Sequence, residues 1–238
     1  STFIKKNFPE FKTVTNSTNQ GFSQGNNIGV QNAKGSFYFL LNNDTVLSDT
    51  KMIAKVVNFM SKNKKIGAVQ PKICLLEEPE KIDLCGSFWT PTTMLYHYGF
   101  YQNANDPLYA KSFPVFTCKG AAMCIRKECV DKVGLFDPDF WCYYEETDFC
   151  HRAWLAGYES WYFADATVLH FNGGTSTNFN NSFIQYHNFK NKLRSFIKNF
   201  SGLERISILI RFTIMASIFS VVSLFLGKLG NIKAIFSA

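Results

Sequence analysis

Residues 37–44, FYFLLNND, constrain the fold of this 238-residue chain more than any other segment. Five apolar residues in a row, three of them aromatic, predict a buried strand rather than a surface helix, and the polar end predicts a turn. A helix is expected near 49–63, where Ile53, Val56, Val57 and Met60 recur at helical spacing, and IGAVQPKI then reads as a second strand. Strands alternating with helices indicate an α/β sheet with crossover connections.

The same reading extends along the chain. FIKKNFPEF looks like a helix end followed by a turn at Pro9, and KTVTN like a short strand. GFSQGNNIGVQNAKG is expected to be a Gly- and Asn-rich turn leading into a short helix that ends at Gly35. Residues 77–117 are irregular, broken by Pro79, Pro91, Pro107 and Pro114. AAMCIRK predicts a strand, KECVDKVG a helix stopped by Gly134, and EETDFCHRAWLA a helix closed by Gly157. ESWYFADATVLHF supplies one or two strands, GGTSTNFNNS a loop, and residues 181–200 a basic amphipathic helix.

Charge separates the two ends. From Phe171 onward there are eight Lys or Arg and one acid, Glu204, so the formal +7 of the whole chain lies there, and residues 1–170 sum to zero with 17 of each sign. A nucleic-acid binder spreads basic residues over its folded face, so that class of partner is excluded. Basic residues among Phe, Ile and Leu instead point to an anionic membrane surface. Phe212 to Leu226 is an uncharged run of 15 residues, about 22 Å as a helix, short of the roughly 30 Å of hydrocarbon. A peripheral or monotopic attachment is therefore expected, with a single span as the other option and the folded part on the cytoplasmic side by the positive-inside rule. The expected division is 1–180 for an α/β domain and 181–238 for a helical tail. Seven cysteines, an odd number with no CxxC pair, read as small buried side chains in a reducing compartment.

Several residues carry chemistry. Asp44 stands just beyond a strand end, where open α/β sheets place ligands, and Asn42, Asn43 and Asp44 offer oxygens to a hard divalent cation; the same residues could simply make a turn and cap a helix. Glu145, Glu146 and Asp148 crowd the first turn of a helix, where acids either favour the macrodipole or act as a general base. Glu145 and Asp148 share a face, and Glu146 is rotated about 100° away. His170 ends the strand DATVLH ahead of a Gly-Gly loop, and is either a satisfied structural residue or a ligand closing a metal shell. At Gly120, in KGAAM, a small-molecule ring could approach the backbone.

Taken in order, GFSQGNNIGV, KGSFYFLLNNDTVL, IGAVQPKI, KGAAMCIRKECVDKVGLFDPDFWCYYEETDFCHRAWLAGY and ADATVLHFNGG closely resemble the family 2 glycosyltransferases of GT-A fold, in their rhamnosyltransferase-like branch, over roughly residues 11–186. The resemblance implies a three-layer, Rossmann-like α/β sandwich, to which the basic and apolar C-terminal stretch adds membrane-associated helices. It also implies inverting transfer of one sugar from a nucleotide-diphosphate donor to a lipid-linked or polysaccharide hydroxyl in cell-envelope glycan synthesis, dependent on Mg2+ or Mn2+. On that resemblance Asn42-Asn43-Asp44 matches the DxD-type motif with Asp44 a metal ligand, and His170 completes the metal site. Gly25, Asn26 and Asn27 match the donor-side turn, and Lys119, Gly120 and Ala121 the loop beside the sugar. Glu145-Glu146 matches the ED motif with Glu146 as base, and Trp141 and Tyr144 border the acceptor.

Three positions depart from the family pattern. Asn42 replaces the first acid of DxD. Glu146 replaces an Asp, which keeps Asp148 a candidate base. The family's opening strand-helix-strand, which binds the nucleobase, would precede Ser1. A catalytically impaired, membrane-attached glycan-binding scaffold is the rival expectation. No QxxRW signature of processive synthases occurs, so single transfer is expected.

Overall fold

The computed structural model describes residues 2–171 and 181–238. Helix α1 (Thr2–Asn7) is followed by α2 (Gly21–Gln31), β1 (Phe37–Leu41), β2 (Thr45–Leu47), α3 (Met52–Lys62) and β3 (Ile66–Leu75). The irregular middle holds four three-residue strands, β4 (Ile82–Leu84), β5 (Ser87–Trp89), β6 (Leu95–His97) and β7 (Phe113–Val115). Then come β8 (Ala122–Arg126), α4 (Lys127–Val133), α5 (Glu145–Leu155), β9 (Glu159–His170), α6 (Asn181–Asn199), α7 (Gly202–Phe225) and α8 (Leu229–Phe236).

The main sheet runs β1-β8-β3-β9-β2, with β4 added to β3 and β7 to β9. Only β3 and β9 are parallel; the other pairs in this sheet are antiparallel. Helices cover both faces, and the period-2 alternation of the strands sorts side chains between them. Along β8, Ala122 and Cys124 join Met52, Val56 and Met60 of α3, while Met123 and Ile125 join Cys129 of α4 and Phe149, Cys150 and Ala153 of α5. This is the expected three-layer sandwich. All seven cysteines are free, and six are buried. The buried Arg126 donates to the carbonyls of Met60 and Asn63, which the end of α3 leaves open, and to that of Ile66 at the start of β3.

Two local expectations change. KTVTN forms no strand, because no neighbour in the sheet pairs with it. The Gly/Asn-rich segment is itself helix from Gly21 onward, held by burial of Ser23 and by a stack of Phe22 on Phe136 at 6.0 Å. Residues 159–170 make one long strand, within the expected one or two. The loop expected after His170 falls on 172–180, outside the described residues.

The C-terminal helices pack as a layer of their own. Phe212 of α7 meets Phe189 and Phe196 of α6 at ring separations of 5.8 and 5.7 Å. The outward face of α7 carries Ile206, Ile210, Ile214, Ile218 and Phe225, all exposed. The helix has 24 residues, about 36 Å at 1.5 Å each, and by length and composition it is able to cross a membrane. It begins well before the uncharged run from which a shorter segment was expected. The basic residues of α6 are also less free than their sequence suggests. Arg194 pairs with Asp137 and Asp139, and Lys198 with Asp137, so part of the basic charge serves internal packing. Arg205, Arg211, Lys228 and Lys233 form no ion pair among the described residues.

Candidate active site

Antiparallel pairing of β2 with β9 sets Thr45 opposite His170, which brings the turn after β1 against the end of β9. The turn is fixed from both sides. Asn42 donates its N–H to Ala121 O at 2.9 Å, Thr45 Oγ1 donates to Asn42 O at 2.6 Å, and Phe171 N–H reaches Asp44 O at 2.9 Å. Asp44 and His170 thus stand 3.6 Å apart, Oδ1 to Nε2, despite lying in distant parts of the sequence. Asn43 is exposed at the tip of this turn.

Asp44 Oδ1 is buried without a hydrogen-bond partner, and 3.6 Å is too long for it to bond the imidazole. Two ligands about 2.1 Å from one ion lie at most about 4.2 Å apart, so a small divalent cation fits between these two atoms. Among the described residues no cluster of three or more His, Cys, Asp or Glu side chains forms a complete metal shell. The remaining positions around such an ion fall to water and to an anionic ligand.

Behind His170 stands Asp83 of β4, a residue that the sequence reading missed. Its Oδ2 accepts from His170 Nδ1 at 2.8 Å and from Lys119 Nζ at 2.6 Å. Burial alone would raise the Asp83 carboxyl, but these two bonds bring it below its ordinary value. Gln70, fully buried on β3, ties the group together: Nε2 donates to Leu84 O at 2.8 Å, and Oε1 accepts Lys119 N–H at 2.7 Å.

Lys119, Gly120 and Ala121 adjoin this set, and Gly120 is where α5 approaches. A Cβ on Gly120 would lie 3.1 Å from the Phe22 ring and 4.0 Å from Glu146 Cβ. Glu146 and Lys119 line a pocket of about 260 Å³ together with Asp83, Thr117 and His97. His97 belongs to the β5–β6 hairpin and bonds Ser87 Oγ through Nδ1 at 2.8 Å. Nothing in the proline-broken middle of the sequence marked this hairpin as a wall of the site.

The three acids of α5 separate by burial. Glu146 is half-buried and faces the pocket, and burial raises its carboxyl above the ordinary range. Glu145 is buried with Oε2 unpartnered; burial first, and the charge of Glu146 second, push it well above that range. Asp148 is fully buried, bonded by Arg152 Nε at 2.8 Å and Asn199 Nδ2 at 2.9 Å. It has no route to a substrate, which corrects its standing as an alternative base.

Two other expectations are corrected. Gly25, Asn26 and Asn27 lie within α2 rather than in a turn. Asn26 bonds Phe22 O, and Asn27 exchanges bonds with the backbone of Phe136 at 2.8 and 3.1 Å, so both amides brace the protein. Tyr144 is buried, with its hydroxyl accepting from Trp89 Nε1 at 3.3 Å, and does not border open space. Trp141 remains partly exposed and stacks on His187 at 5.5 Å. Trp141, Tyr143 and Tyr144 all have positive φ, 61°, 68° and 73°, an uncommon conformation for bulky residues. Asn191 of α6 holds this loop, its amide donating to the carbonyls of Phe140, Cys142 and Tyr143 at 2.7–2.8 Å.

The family model described as glycosyltransferase like family 2 matches residues 4–191, most of the chain. The chain belongs to this family. Its fold is that of the GT-A glycosyltransferases. The family 2 chain superposes on the crystal structure of GalNAc-T7 with UDP, GalNAc and Mn2+ with a TM-score of 0.57 at 18% identity, over 71% of this chain and 33% of that one. It superposes on the mannosyltransferase PcManGT from Pyrobaculum calidifontis, in complex with GDP-Man and Mn2+, with a TM-score of 0.54 at 11% identity, over 98% of this chain and 59% of that one. This chain therefore spans about a third and about three fifths of those two proteins. No curated protein sequence matches it.

Proposed function

We propose that this family 2 chain is an inverting glycosyltransferase that moves one sugar from a nucleotide-diphosphate donor to an acceptor hydroxyl. The observation that carries the reading is the convergence of Asp44 and His170, 3.6 Å apart, with Lys119 and Glu146 in the adjoining pocket. Asp44 and His170 would hold a divalent cation, which supplies positive charge beside the leaving diphosphate. Lys119 flanks the sugar from the pocket wall, and the absence of a side chain at the buried Gly120 makes room for the Phe22 ring that packs behind it.

Glu146 takes the proton from the acceptor hydroxyl as its oxygen bonds the anomeric carbon and the bond to the diphosphate breaks. The raised carboxyl of Glu146 suits this role, because a base that holds a proton more tightly pulls harder on the hydroxyl. Glu145 sits behind it as a buried neighbour whose carboxyl burial pushes well above its ordinary value.

The acceptor is lipid-linked or a polysaccharide, and the chain works on the cytoplasmic face of a membrane in cell-envelope glycan synthesis. The exposed apolar row on α7 and the unpaired Arg205, Arg211, Lys228 and Lys233 support this placement. A panel of UDP-, GDP- and dTDP-sugars with Mn2+ and membrane-extracted acceptors tests the reading through release of the nucleoside diphosphate and mass gain of the acceptor. No release from any donor, with donor still bound, would favour the glycan-binding scaffold.

A further inference from the structure

His170 lies between two carboxylates, Asp83 on Nδ1 and Asp44 facing Nε2, and in its neutral form it can donate to only one of them. Asp83 offers the ring only an acceptor, since its Oδ2 takes bonds from both His170 Nδ1 and Lys119 Nζ. A neutral imidazole has one donor and one acceptor nitrogen, so its proton goes to Nδ1 and Nε2 is left with a lone pair. That lone pair faces Asp44 Oδ1, which is buried, unpartnered and 3.6 Å away. In the neutral ring, then, two electron-rich atoms face each other with no proton between them.

We propose that Asp83 is a positioning residue that fixes the tautomer and direction of His170, so that Nε2 is presented bare to a divalent cation shared with Asp44. This rests on the reading of Asp44 and His170 as cation ligands and assigns the part played behind them. Asp83 is well placed for the task. Its side chain is 2% exposed, β4 is paired to β3 through Ile82 and Leu84, and His170 is paired to the opposite edge of β3 through Leu75. Gln70 of the same strand holds both the Leu84 carbonyl and the Lys119 N–H, so Asp83, Lys119 and His170 are registered against one rigid strand. A ligand ring anchored through its second nitrogen to a carboxylate is held in orientation and made more basic, and loss of such a partner costs about 10–100-fold in metal affinity.

The test uses the full-length protein with 15N-labelled histidine at pH 8, His170 being assigned by the signal lost in His170→Ala. Long-range proton–nitrogen spectra of the metal-free protein should show the His170 proton on Nδ1. In Asp83→Ala it should move partly or wholly to Nε2, and in Asp83→Asn, which keeps a neutral acceptor, it should stay. Mn2+ binding, read by electron paramagnetic resonance with saturating UDP and separately with GDP, should weaken about 10–100-fold in Asp83→Ala and less in Asp83→Asn. A wild-type proton on Nε2 overturns the proposal, even if Asp83→Ala does not fold. So does a folded Asp83→Ala protein with unchanged tautomer and Mn2+ affinity. If His170→Ala itself leaves Mn2+ binding intact, it is the cation reading of Asp44 and His170 that falls, whichever nitrogen carries the proton.

Discussion

Arg152 holds Asp148 at 2.8 Å, one turn further along the helix that opens with Glu145 and Glu146. The guanidinium also reaches the carbonyls of Val133, Gly134 and Leu135, so the pair locks the end of α4 to α5. Removing the acid strands a cation in a largely buried place, and breaking such a pair costs about 3–5 kcal/mol. Asp148→Ala should therefore lose stability on that scale in urea denaturation, with the sugar transfer of the folded fraction retained. Stability near wild type with abolished transfer would return Asp148 to the role of base.

Glu146→Gln should behave in the opposite way. Turnover should fall about 10²–10⁴-fold, while the melting temperature and donor affinity change little. Because burial raises this carboxyl, the wild-type rate should decline on acidification while the pH is still above the usual carboxylate range. A rate flat down to pH 4 would contradict the assignment.

Glu145 gives a stability signature of opposite sign to an ordinary ion-paired acid. Its folded-state affinity for a proton is raised, so between the unfolded value near 4.3 and the folded one the native state binds more protons. Stability then falls as pH rises through that window. Glu145→Gln should be more stable than wild type at pH 8, by a margin that shrinks towards pH 4. Urea titrations at several pH values give the difference curve, and a margin that does not vary with pH would refute the point. Asp137 runs the other way: burial works to raise it, but Lys198 and Arg194 bring it down to about 2, so its contribution is lost only as pH falls from about 4 towards 2.

Asn191→Ala should slow transfer without touching any substrate. The amide is fully buried and bonds three carbonyls of a loop whose aromatic residues sit at positive φ. Losing it takes this donor from the part-buried carbonyls of Cys142 and Tyr143, at up to about 1–3 kcal/mol each, while Phe140 O keeps the Cys142 N–H. A lower melting temperature together with a reduced kcat is expected; unchanged values for both would show that the loop holds itself.

The exposed row on α7 is expected to bind lipid. Replacing Ile206, Ile210, Ile214 and Ile218 together by Ser should abolish flotation with anionic vesicles and leave the circular dichroism spectrum of the α/β core intact. Flotation that survives the change would place membrane contact elsewhere.

Much of the framework was legible because it rests on short-range patterns. FYFLL, IGAVQPKI and AAMCIRK are strands, and Val56 and Met60 face the sheet from α3, as their spacing indicates. The pairing of Asp44 with His170 followed from two strand ends on one sheet edge. What was hidden depends on tertiary contact. Asp83 lies on a three-residue strand among prolines and glutamates, too short to show a period, and acquires its role only when β4 pairs with β3. Gly25 to Asn27 have the composition of a turn, but packing of Phe22 and Ser23 overrides propensity and makes them helix. The positive charge of Arg194 and Lys198 looked directed at lipid until Asp137 and Asp139, over fifty positions away, came beside it.

Helix α6 touches both working ends of the molecule. Asn191 grips the loop that leads into Glu146, and Phe189 and Phe196, on either side of it in sequence, grip α7. On the proposed function, with α7 seated in lipid and Glu146 as base, α6 would act as a ruler, setting the height of that carboxylate above the bilayer in the rigid increments of a helix. Only hydroxyls presented at that height would then come within reach of Glu146, so part of the acceptor selectivity would be written in the distance from the membrane rather than in the walls of the pocket.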